Sequence, residues 1–62
     1  MKQIKTSYGG HRYVISYNAD GEPTKVEERD PRDGYLFVVW QAPRQLTNPL
    51  IKAIITSAGI GR

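Results

Sequence analysis

The stretch Tyr35-Leu36-Phe37-Val38-Val39-Trp40 constrains this chain more than any other. Successive side chains of an extended strand point to opposite faces. Here both sets, Tyr35/Phe37/Val39 and Leu36/Val38/Trp40, are apolar. Such a strand is either covered on both sides or shows an apolar face to a partner. The chain has 62 residues and one segment of helical periodicity, so a single helix is available to cover a sheet. One sheet face is expected to stay open, and function is expected there.

The rest of the chain supplies the sheet and the helix. Lys2 to Tyr8 alternates with period two, with Ile4, Thr6 and Tyr8 on one side, and Gly9-Gly10 ends it with a turn that tolerates positive φ. His11 to Asn18 reads as a second strand with Tyr13, Ile15 and Tyr17 on one face. Asn18 to Pro23 is a turn cluster. Thr24 to Arg29 follows with Val26 as its one apolar residue, and its charges suit an exposed edge strand. After Asp30-Pro31-Arg32-Asp33-Gly34, the strand over residues 35–41 is the strongest signal. Asn48 is a good N-cap and Pro49 a good first helical residue. Leu50, Ile51, Ile54, Ile55 and Ala58 then form an apolar stripe over a helix of residues 49–58. Gly59 followed by Ile60 reads as a Schellman ending. The fold class is α+β, an antiparallel β-meander of three to four strands packed against one C-terminal α-helix, in one domain over residues 1–62.

Composition limits the chemistry. With no cysteine and one histidine, neither a disulfide nor a four-ligand zinc site is expected, and apolar burial must hold the fold. No cofactor is expected, because phosphate loops, nucleophile elbows and metal-ligand spacings are missing from the sequence. Glu27 and Glu28 are adjacent, so in a strand they diverge and cannot act as a catalytic pair. No apolar run approaches the ~20 residues needed to span a bilayer, and the start has no apolar stretch behind its charges. Neither a membrane partner nor a signal peptide is expected. A cytoplasmic location fits the lack of cysteine.

The net charge of +3 is unevenly spread. Lys2, Lys5 and Arg12 make residues 1–18 basic. Residues 19–34 hold six carboxylates against three cations, and Arg44, Lys52 and Arg62 make the remainder basic again. Charge divided in this way can orient a partner and speed its arrival.

His11 follows the Gly-Gly turn and adjoins Arg12, so an acid/base group and a phosphate-binding cation could lie together. The segment Leu46 to Ile60, with Gly9-Gly10-His11, resembles the HicA-type toxin family. That family has a double-stranded-RNA-binding-like fold and cleaves messenger RNA with a histidine at a strand start, a role that would fall to His11. Three features depart from its pattern: no N-terminal helix is present, Gly10 stands in place of the usual serine, and residues 19–33 are additional.

The favoured reading is a small non-catalytic protein that binds nucleic acid through a basic and aromatic sheet face. Lys5, His11, Arg12 and Tyr13 are its expected central contacts, with Arg44 and Lys52 on the flank. Catalytic residues are not expected, with His11 the sole candidate should the protein be a ribonuclease. The alternative is a protein-binding inhibitor or adaptor of phage or mobile-element type, directed at a host enzyme or a defence complex such as CRISPR. Self-association as a homodimer through the open face is a third reading.

Overall fold

A computed structural model describes residues 2–58; the Schellman ending read at Gly59-Ile60 lies outside them. The elements run β1 (Lys2–Tyr8), β2 (His11–Tyr17), β3 (Pro23–Arg29), β4 (Leu36–Gln41) and α1 (Pro49–Ser57). The strands form one antiparallel sheet in sequence order, β1-β2-β3-β4. The expected α+β meander with one helix is what the chain adopts.

Turn chemistry sets the register. Gly9 and Gly10 have φ of 59° and 82°, the left-handed pair that a two-residue hairpin requires. Tyr8 is therefore paired with His11, and Ile4 with Ile15. Between β2 and β3 the Asn18 carboxamide oxygen accepts from the N–H groups of Asp20 and Glu22 at 3.0 and 2.9 Å. This tie closes the loop, and a one-residue register shift between Ser16 and Tyr17 then brings Val26 opposite Ile15.

Residues paired directly across strands share a face. One face carries Ile4, Thr6 and Tyr8 of β1, His11, Tyr13, Ile15 and Tyr17 of β2, and Val26 and Glu28 of β3. Helix α1 packs on this side and buries Ile51, Ile54 and Ile55 against Tyr13, Ile15, Tyr17, Val26 and Trp40. Burying an aliphatic side chain of this size stabilises a fold by about 1.5–3 kcal/mol, so this one cluster carries the domain. The Asn48 side chain caps α1 by accepting from the Leu50 N–H at 2.9 Å. Leu50 was expected on the apolar stripe but is half exposed, because the three isoleucines and Ala58 face the sheet without it.

Two expectations are overturned. Strand β3 is interior, not an edge. Its charges mark an uncovered face instead: Val26 is fully buried, while Lys25, Glu27 and Arg29 alternate to the open side. There the Lys25 ammonium and the Glu27 carboxylate pair at 3.6 Å. The second correction concerns β4, whose alternation is broken by a bulge. Val26 is paired with Trp40 and Glu27 with Val38, leaving Val39 as the extra residue. The shift puts Trp40 on the helix side with Phe37, and the indole Nε1–H donates to the Arg44 carbonyl at 3.1 Å. Strand β4 is also an outer strand, as is β1, with Leu36, Phe37 and Val38 39%, 40% and 49% exposed.

Candidate nucleic-acid interface

The open face is built from the alternate residues of all four strands. Register places Ser7, Arg12, Arg29 and Leu36 in one row across it, and Lys5, Val14, Glu27 and Val38 in the next. Arg12 and Arg29 are direct cross-strand partners, so their Cα atoms are held roughly 4.5–5.5 Å apart. Lys5 sits diagonally from Arg12, one strand over. Lys5, Ser7, Arg12, Val14 and Arg29 line a single shallow depression.

This juxtaposition works against the fold. Like charges placed directly opposite in a sheet are destabilising. Among the described residues, none of Lys5, Arg12 and Arg29 has a carboxylate within ion-pair distance, although Lys25, Arg32 and His11 each do. The Arg29 guanidinium lies over Gly34, where φ is 76° and an added Cβ would stand 3.3 Å from its terminal nitrogen. Glycine at this turn therefore leaves room for the Arg29 head group. The result is a positive triad without an ion-pair partner, with the Lys25-paired Glu27 on the same face and Ser7 alongside.

The opposite face at the same end of the sheet has another character. His11 Nδ1 lies 3.4 Å from the Glu28 carboxylate, and both side chains are reached by solvent. Tyr13, between them and the core, has its phenol pushed above the ordinary value of 10.0 by burial first and then by the neighbouring Glu28 carboxylate. Helix α1 does not cover this end, and Tyr8, Tyr35 and Phe37 are exposed around it. In the adjoining turn the Asp30 carboxylate accepts from the Arg32 backbone N–H at 2.9 Å and from its guanidinium at 3.4 Å. Those contacts hold its pKa below the usual value.

The expected contacts are thereby divided. Lys5 and Arg12 meet on the open face. His11 lies on the helix-side face, so adjacency to Arg12 in sequence becomes opposition in space, and a phosphate gripped on the open face by Arg12 does not face His11. The two approach each other at the sheet's end, in a groove whose walls include Asp30 and Asp33. Tyr13 is 4% exposed and packs in the core, and it also borders the depression of Lys5, Arg12 and Arg29. Arg44 sits in the loop beyond β4, at the far end of the sheet from Arg12, and Lys52 is exposed on α1. Neither joins the triad.

Arg29 is the member that sequence reasoning passed over, because it sits in the acidic segment. Counting back from the β2–β3 turn would pair Arg12 with Glu28, and a one-residue register shift between Ser16 and Tyr17 brings Arg29 opposite it instead. The open face is also basic and aliphatic where a basic and aromatic one was expected. The β2 tyrosines point to the core, and Val14, Leu36 and Val38 fill the space between the charges.

No family model, curated protein or solved structure matches the chain. Among the described residues no group of three or more His, Cys, Asp or Glu side chains could hold a metal ion, and no helix is long and apolar enough to cross a membrane.

Proposed function

We propose that this protein binds nucleic acid through the open face of its sheet, with Lys5, Arg12 and Arg29 as phosphate contacts. The single observation that carries this reading is the cross-strand Arg12–Arg29 pair without a carboxylate partner. A sheet that keeps two guanidinium groups side by side accepts a cost in stability, and an anionic ligand relieves it. Phosphate oxygens suit guanidinium groups because the planar fork donates two parallel hydrogen bonds. Ser7 adds a neutral donor beside them.

The test is titration of fluorescently labelled nucleic acid, double- and single-stranded, with the protein and its Arg12→Glu variant. The wild type is expected to bind with affinity that falls steeply as salt rises, and the variant to bind about tenfold or more weakly, since a charge-assisted hydrogen bond contributes about 1.5–3 kcal/mol. An unchanged affinity in the variant would remove this surface from consideration.

A second reading is favoured by one specific feature. Strand β4 is an outer strand without a charged residue, and three of its apolar side chains are exposed. Such an edge suits a protein partner that adds a strand or covers the apolar side chains. Recovery of one protein from a lysate, unaffected by nuclease and lost in a Val38→Lys variant, would favour this reading over the first.

A further inference from the structure

Resting on the nucleic-acid reading, we infer that the ligand is a double helix gripped by its backbone, without regard to base sequence. Proteins that hold single strands interleave cations with aromatic rings, so that one surface neutralises phosphates while bases stack beside them. Here the two-residue period of the strands separates these functions. The cations Lys5, Arg12 and Arg29 lie on the open face, whose neighbouring side chains are Ser7, Val14, Leu36, Val38 and Glu27, the last paired with Lys25. By strand register, no side chain of the four strands on that face is aromatic.

The rings lie elsewhere. Tyr8 and Phe37 are register partners of His11 and Glu28 on the helix side, and Tyr35 stands exposed in the turn before β4. At that end the helix-side face carries the Glu28 carboxylate beside His11 and no lysine or arginine of the four strands. A single strand therefore cannot stack its bases and neutralise its phosphates on the same side of this sheet. A duplex has its bases already stacked and presents only phosphates and sugars outside its grooves, so it loses nothing by meeting a face without rings. Phosphate contacts carry no base information, so sequence preference is absent as well.

The experiment measures anisotropy of four labelled probes with the full chain: two 20-base-pair duplexes of unrelated sequence, and one separated strand from each. The duplexes are expected to agree within about twofold and the single strands to bind at least about tenfold more weakly, because the ~1–3 kcal/mol that stacking supplies per base is missing. With three phosphate contacts the duplex salt slope is about −2.7, which is about a 40-fold loss between 50 and 200 mM salt. Tyr8→Ala and Tyr35→Ala variants are expected to bind like the wild type. Single strands binding as tightly as duplexes, duplexes differing by tenfold, or a tenfold loss in either tyrosine variant would each overturn the inference while leaving nucleic-acid binding intact. Failure of all four probes to bind a chain whose spectrum shows it folded would overturn the parent reading itself.

Discussion

Val14 and Ile15 are neighbours in β2, yet they belong to different parts of the molecule. Ile15 is sealed beneath α1 against Val26 and its β1 partner Ile4. Val14 lies in the basic depression between Lys5 and Glu27. The covered face obeys stability: it is aliphatic, aromatic and closed. The open face departs from it, with three unneutralised cations set around half-buried and exposed aliphatic groups. In a chain with one helix the difference is enforced by supply, because nothing remains to cover the second side. A covered face gathers the residues that fold the domain, and a bare one is free to hold residues that fold it less well.

Substitutions at these neighbouring positions probe that division most strongly. Ile15→Ala is expected to cost about 2–5 kcal/mol, enough to unfold much of so small a domain, and Val14→Ala less than about 1.5 kcal/mol. Urea denaturation of both proteins checks this, and equal losses would mean that the open face is not open. The next largest effect concerns binding. Arg12→Glu with Arg29→Glu should lower duplex affinity about a hundredfold, taking about 1.4 kcal/mol for each charge-assisted contact. His11→Ala should change it by less than about twofold, since His11 faces away. A large loss in the His11 variant would erase the distinction between the faces.

The core contains one polar misfit that sharpens the comparison. The Tyr17 hydroxyl is buried without a hydrogen-bond partner, and burial raises its pKa above 10.0. Tyr17→Phe should therefore be neutral or stabilising by up to about 1 kcal/mol in thermal or urea melts. The pH dependence has a definite sign. Below pH 10 both the folded and the unfolded phenol keep their proton, and this contribution is complete. Above it the unfolded chain ionises first, so stability falls as pH rises until the higher folded pKa is passed. Melts at pH 8 and 11 should show the drop, reduced in the phenylalanine variant. The smallest expected effect is on the other side of the sheet. Arg29→Thr removes the like-charge pair and should raise stability by about 0.2–1 kcal/mol while weakening duplex binding. Stability and affinity moving in opposite directions is the signature of a residue retained for its ligand.

Much of the fold was legible because short-range rules operate without interference. Gly9-Gly10 forces a two-residue hairpin, Asn48-Pro49 starts a helix, and the β2 alternation names Tyr13, Ile15 and Tyr17 as inward. Strand order was harder, since charge on β3 marks either an edge or an uncovered face, and one sequence cannot distinguish them. The bulge at Val39 was invisible because β4 is apolar in both phases, so a one-residue slip leaves its pattern unchanged. Of the expected contacts, Lys5 and Arg12 were placed together by parity along their own strands. Arg29 required the register between strands, which turn length alone does not give because β2 and β3 shift by one residue at Ser16/Tyr17. His11 was expected beside Arg12 because the two adjoin in sequence, yet neighbouring strand residues diverge and place them on opposite faces.

The bulge at Val39 also bears on how the protein behaves when crowded. Strand β4 is uncharged and outermost, the kind of edge on which copies of a chain stack into fibrils. A newcomer extending the ladder would find only Leu36 to Val38 before the extra residue bends the strand and breaks the repeat. One displaced valine thus limits the regular stretch of this edge to three residues.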